Sequence, residues 1–234
     1  MDMLLLSNSR SEEGYLVHAA PWLQQYTADR KLSNTVGVML PYARVSSSWD
    51  EAVASTNHAF APLGITLTGL HQVSNPVEAV EQSPLIVVCG GNTFSLLKHV
   101  RELGLLAVIK RRVRDGAGYI GWSAGANLAS PSIGTTNDMP VVDPGGFGAL
   151  GLLPFQINPH YTDAHPPGHN GETRRQRIAE YCALNPTSPV LGLPEGTALR
   201  VSDERVDLLG AEALLFRSDA EPQALPPGQL TRFW

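Results

Sequence analysis

Cysteine is scarce in this 234-residue chain, and the two present, Cys89 and Cys182, stand far apart without a Cys-x-x-Cys spacing. That excludes a disulfide framework and a zinc knuckle, and it suits a reducing cytoplasm. Long apolar runs are missing too. The N-terminal Leu4-Leu5-Leu6 ends at Ser7-Asn8, too short for a signal peptide or a membrane span. The expectation is a cytoplasmic protein with no membrane partner. There is also no basic stripe: net charge is -5, and the one local group, Lys110-Arg111-Arg112 with Arg114, reads as the solvated side of a helix, not a nucleic-acid footprint. No repeat or low-complexity segment appears. Hydrophobic residues make 43% and charged residues 17%, ordinary globular usage, and the length suits a single α/β domain spanning residues 1–234. Nothing in this composition requires or forbids a homodimer.

Short apolar runs alternate with longer amphipathic stretches. Residues 3–6, 35–40, 65–70 and 85–88 read as strands, with helices at about 13–31, 49–61, 76–81 and 94–114, the last broken near Gly104. A fifth strand at 119–122 opens a short helix at 124–129. A helix at about 173–184 separates runs at 155–157 and 190–193, and a further strand covers 199–202. Strand, helix, strand repeats of this kind imply a mostly parallel sheet flanked by helices on both faces, with chemistry on the loops that leave the carboxyl ends of the strands.

Gly121-Trp122-Ser123-Ala124-Gly125 matches G-x-S-x-G between an expected strand and helix, the context in which a sharp turn exposes a nucleophilic serine. A Gly-rich turn with a capping serine would give the same five residues, so a base and an acid must also be found. Of seven histidines, His18, His58, His71 and His99 lie on segments where surface or packing roles are expected. His160, in Asn158-Pro159-His160-Tyr161, stands where a strand leaves the sheet and is the candidate base. His165 and His169 follow it, but Pro166, Pro167 and Gly168 prevent a helix from aligning the three as metal ligands, and no metal is expected. For the acid, Glu195 and Asp138 both qualify; Glu195 has the better position because it too follows a strand exit. The order Ser, His, acid differs from that of α/β-hydrolases and argues against a lipase or ordinary esterase. Gly90-Gly91-Asn92-Thr93 offers flexible backbone near a substrate carbonyl, making the Gly91 and Ala124 N–H groups candidate oxyanion donors; the two glycines would equally serve a turn capped by Thr93.

These residues resemble the peptidase E family of α-aspartyl dipeptidases, serine peptidase family S51, related to cyanophycinase and similar in fold to class I glutamine amidotransferases. The likeness runs through Leu4-Leu5-Leu6-Ser7-Asn8-Ser9, Gly90 to Phe94, Gly121 to Asn127, Thr135-Thr136-Asn137-Asp138-Met139-Pro140, Asn158-Pro159-His160, Gly171-Glu172-Thr173-Arg174 and Leu193-Pro194-Glu195-Gly196. It implies Ser123 as nucleophile, His160 as base, Glu195 as orienting acid, and Gly91 and Ala124 as oxyanion hole, with Asp138 also in a matching block. It further implies hydrolysis of Asp-X dipeptides without metal or organic cofactor. Arg174 is the candidate partner of the substrate aspartate, because a guanidinium fork matches a carboxylate bidentately. Asn92 is a second candidate substrate contact. Cys89, where similar proteins often carry another glycine, and Thr197-Ala198 depart from the pattern. Two other readings keep the same residues: a cyanophycinase-like or other small amide or ester hydrolase, and a catalytically silent module binding acidic ligands.

Overall fold

The computed structural model of the chain describes every residue except His165, Pro166, His169, Glu204 and Phe233. In chain order the strands are β1 (Asp2–Leu6), β2 (Arg10–Ser11), β3 (Gly14–Tyr15), β4 (Thr35–Leu40), β5 (Ile65–Gly69), β6 (Leu85–Val88), β7 (Gly118–Trp122), β8 (Gln156–Tyr161), β9 (Val190–Pro194), β10 (Ala198–Ser202), β11 (Arg205–Leu209), β12 (Ala213–Phe216), β13 (Gln223–Leu225) and β14 (Gly228–Gln229). The helices are α1 (Ala20–Asp29), α2 (Trp49–Phe60), α3 (Pro76–Gln82), α4 (Thr93–Glu102), α5 (Leu105–Arg114), α6 (Ala124–Asn127) and α7 (Arg174–Leu184). None of the described helices is long and apolar enough to cross a membrane.

The main sheet runs β14-β11-β10-β1-β7-β6-β4-β5. From β1 to β5 every neighbouring pair is parallel, whereas β10, β11 and β14 join antiparallel beyond β1. Parallel strands covered on both faces must be apolar throughout, and β6 and β7 are buried at every position. The mostly parallel sheet between helices is therefore as expected. A second sheet, β13-β12-β9-β8, was not foreseen. The pair β8 and β9, at one edge of this sheet, is parallel with α7 as the crossover. One apolar core joins both sheets, from Leu5, Val87 and Ile120 to Ile157 and Leu193, and a smaller one holds Ile178 and Cys182 of α7 against Val190 and Phe216.

Two boundaries need correction. The helix expected at 13–31 begins only at Ala20, and the hairpin of β2 and β3 precedes it. Pro21 explains the start, since it lacks an N–H and fits only the first turn of a helix; Gly14, at φ +132°, supports the hairpin. The strand expected at 155–157 runs on to Tyr161 through Pro159, which is tolerated because β8 is an edge strand with a register shift between Pro159 and Tyr161. The break at Gly104 is present: its φ of +67° separates α4 from α5.

Candidate active site

Ser123 sits at the turn from β7 into α6 with φ 53° and ψ -113°, a conformation non-glycine residues seldom adopt. Its N–H donates to Leu6 O at 3.0 Å, so the turn is pinned to the end of β1. Both flanking glycines are sterically required. A Cβ on Gly121 would lie 2.5 Å from Gly125 O, and one on Gly125 would run into Val88 O. Without these side chains α6 folds back over the sheet close enough for Tyr119 Oη to donate to Gly125 O at 2.7 Å.

The second sheet brings the other groups. Asn127 of α6 donates through Nδ2 to Ile157 O at 2.7 Å, and Thr135 Oγ1 donates to the same carbonyl at 2.8 Å, docking β8 beside the turn. At the irregular end of β8, His160 takes φ 55°, and its Nε2 lies 2.9 Å from Ser123 Oγ. Its Nδ1 is 2.7 Å from Glu195 Oε1, on the turn that leaves β9. A proton on Nδ1 facing the carboxylate leaves the Nε2 lone pair for the serine hydroxyl.

Asp138, the alternative acid, bonds to other groups. One of its oxygens accepts from Thr93 N–H at 2.7 Å and Thr93 Oγ1 at 2.6 Å, with Thr136 Oγ1 at 3.1 Å. It ties its loop to the start of α4 and makes no bond to His160 among the described residues. Asn92 likewise caps α4, Oδ1 accepting from Ser95 N–H at 3.0 Å while Nδ2 donates to Met139 O at 2.8 Å. Its amide thus joins two loops.

Ser123, His160, Arg174, Asp138, Thr93 and Ala124 face a common cavity of about 240 Å³. Arg174, the first residue of α7 and half-buried, donates to His160 O. No described carboxylate lies within ion-pair distance of it. Burial pulls its guanidinium below the ordinary arginine range, opposed by the Glu195 charge. Arg175, by contrast, pairs with Asp163 at 2.8 Å on the surface. Gly91, at φ +143°, could carry no Cβ without striking Ala43 O, and Gly90 presses so closely on the turn that a Cβ there would lie 3.0 Å from Ser123 Cβ. Ala124 begins α6, so its N–H has no intrahelical acceptor. Burial pushes the Cys89 thiol up to about 12, which keeps it neutral beside the site.

Among the other histidines, His71 pairs with Asp50 at 2.8 Å and His99 stacks on Tyr42. His165 and His169 lie outside the described residues. Among the described residues, no three His, Cys, Asp or Glu side chains are gathered to hold a metal. A larger cleft of about 850 Å³ between β3, α1 and α2 is lined largely by apolar groups such as Leu16, Leu23 and Leu63, away from Ser123.

Sequence reasoning missed the residues that hold these groups together. Ser7, fully buried at the exit of β1, accepts from His160 N–H at 2.8 Å and donates to Leu193 O at 2.8 Å. Asn8 Oδ1 accepts from Gly196 N–H at 2.8 Å, next to Glu195. Thr197, one of the departures noted above, closes that turn with a 2.6 Å bond from Oγ1 to Pro194 O. The available signal was position: polar residues directly after an apolar strand whose neighbour carries the serine.

The sequence profile described as peptidase family S51 matches residues 3–209. The chain belongs to peptidase family S51. Proteins called Peptidase E from Salmonella arizonae and Salmonella typhimurium are 50% and 49% identical to this S51 peptidase over 230 residues, covering 97% of this chain and 99% of each relative. In fold the S51 chain is similar to the crystal structure of a peptidase from an acI-B1 actinobacterium, with TM-score 0.71 and 16% identity over 99% of this chain and 96% of that one.

Proposed function

We propose that this S51 peptidase is a serine-type dipeptidase that cleaves Asp-X after an N-terminal aspartate. The observation that carries the proposal is a continuous Glu195, His160, Ser123 hydrogen-bond chain opening on a small cavity also lined by Arg174, which has no carboxylate partner among the described residues. The curated relatives bearing the name Peptidase E support the same reading.

In this reading His160 Nε2 takes the Ser123 proton as Oγ attacks the aspartyl carbonyl, and Glu195 stabilises the imidazolium that forms. The developing oxyanion meets the N–H groups of Gly91 and Ala124. As the C–N bond breaks, His160 returns its proton to the leaving amine and the aspartyl group stays esterified on Ser123. Water, deprotonated by His160, then releases aspartate. Arg174 binds the aspartyl side chain, while Asp138 and Asn92 fix the loops around it. The two buried free cysteines fit a cytoplasmic site of action.

A panel of Asp-X, Glu-X, Asn-X and β-linked aspartyl substrates, run with and without a chelator, tests the proposal. Asp-X alone should turn over well, because Asn-X leaves the guanidinium without its charge partner and Glu-X carries the charge one methylene too far. Arg174→Met should lower kcat/KM for Asp-X by at least about a hundredfold and affect Asn-X much less. An equal fall for both substrates would make Arg174 structural. Preferred release of β-linked aspartate would favour the cyanophycinase-like reading, and a Ser123 that resists serine-directed reagents the silent binding module.

A further inference from the structure

On the other side of Gly90 lies a second cavity, of about 220 Å³, that the assignment above leaves unused. Gly90 and Trp122 are part of its wall. Trp122 immediately precedes Ser123, and a Cβ on Gly90 would lie 3.0 Å from both Trp122 Cδ1 and Ser123 Cβ, so this cavity borders the serine turn. Arg10 and Arg44 also line it. Arg44, half-buried, is steadied by a 2.9 Å bond from Nε to Ser47 Oγ, which leaves its terminal nitrogens free of that bond. Arg10 lies over the Tyr15 ring, its Cζ 5.6 Å from the centroid. Neither guanidinium has a carboxylate within 4.0 Å among the described residues. Glu51, the acid in the same lining, is exposed and forms no ion pair with either.

A dipeptide with an N-terminal aspartate carries two carboxylates. One is the aspartyl side chain; the other is the C-terminal α-carboxylate, one residue beyond the scissile bond and so within about 4 Å of it along the chain. Two cavities border the Ser123 turn, and each is lined by arginine with no carboxylate partner among the described residues, while the substrate brings two carboxylates. We infer that the cavity of Arg10 and Arg44 receives the free α-carboxylate of the departing residue, and that it is this pair that restricts the enzyme to dipeptides. In a longer peptide an uncharged amide would stand where the guanidinium groups need an anion, leaving them desolvated without a partner. The inference rests on the reading of Ser123 and Arg174 given above.

The test compares Asp-Leu with Asp-Leu amide and aspartyl p-nitroanilide, which keep the aspartyl group and lack the terminal carboxylate. Wild-type enzyme should prefer Asp-Leu over its amide by about thirtyfold or more, the scale of a hydrogen-bonded charge contact. In the Arg10→Met/Arg44→Met double variant, kcat/KM for Asp-Leu should fall by about the same factor, while both neutral-ended substrates change by less than about threefold. The single variant at half-buried Arg44 should lose more than the one at exposed Arg10, whose charge is screened by water. The singles also decide the matter if the double variant unfolds. Equal loss on all three substrates, or undiminished Asp-Leu hydrolysis, overturns the inference. The underlying reading fails separately, through aspartyl p-nitroanilide turnover that survives Ser123→Ala or Arg174→Met.

Discussion

Ser7→Ala should damage catalysis without touching any group that meets the substrate. The hydroxyl is fully buried and makes two bonds of 2.8 Å, one from His160 N–H and one to Leu193 O. Truncation leaves a donor and an acceptor without partners in an interior that water does not reach. At about 1–3 kcal/mol for each orphaned group, partly relieved by relaxation, the fold should lose about 2–4 kcal/mol. For a chain of this length that is a fall in Tm of about 5–15 °C. The catalytic effect follows from His160, whose φ of 55° persists only while its surroundings enforce it. Released from Ser7, the imidazole should drift from Ser123 Oγ, and kcat should drop by about 10–100-fold, the scale of a misplaced catalytic group. KM should move less than about threefold, since Ser7 neither bonds Arg174 nor lines its cavity. Steady-state kinetics on Asp-Leu and thermal unfolding measure both, and Ser7→Cys, with a weaker donor and acceptor, should fall between. A lower Tm with kcat unchanged would refute the positioning role and leave Ser7 purely structural.

Three further outcomes follow from the site. Ser123→Ala should fold normally by circular dichroism, lose fluorophosphonate labelling, and lose about three to six orders of magnitude in turnover; retention of a tenth of wild-type activity would end the serine mechanism. Glu195→Gln should cost about 10²–10³-fold in kcat, less than the about 10⁴-fold known for a buried triad carboxylate, because the Glu195 side chain is 63% exposed and water screens its charge. Asp138→Asn should cost less than about tenfold, as that carboxylate serves Thr93 and Thr136, and a larger loss there than at Glu195 would reverse the two roles. Burial holds the Cys89 and Cys182 thiols up at about 12 and about 11, so at about pH 8 almost none is thiolate, and iodoacetamide should label the folded protein slowly and without loss of activity; rapid inactivation through Cys89 would contradict that burial.

How much of this was legible in the sequence depends on how local each signal is. The strands of the parallel core announce themselves as apolar runs, and the break at Gly104 is written in one residue. Pro21 was legible but went unread in the helix expected at 13–31, since no helix running from residue 13 accommodates a proline eight positions in. The second sheet had no such mark. Its strands β8, β9, β12 and β13 resemble any other short apolar segments, and which strands pair is decided by the core they share, including the α7 crossover between β8 and β9. The serine turn was readable for the opposite reason: a Cβ on Gly121 would strike Gly125, four residues on, so the constraint appears as a motif.

The choice between Glu195 and Asp138 could not be local. Both acids sit in loops that approach the same cavity, and only the pairing of β8 with β9, with Tyr161 opposite Pro194, delivers Glu195 to Nδ1 of His160. The candidate nucleophile Ser123 thus belongs to one sheet, and its candidate base and acid to the other. Such a site works only if the two sheets keep their relative position to within a fraction of an ångström. Bonds that span the junction include Asn127 to Ile157 O, Ser7 to His160 N–H and Leu193 O, and Asn8 to Gly196 N–H. Cutting any of them takes a side-chain partner from a backbone group, so sliding one sheet against the other costs several such losses together. Stability and catalysis should therefore fall together for substitutions at Ser7, Asn8 and Asn127, whereas substitutions at Arg10, Arg44 and Arg174 should alter substrate choice with little change in Tm.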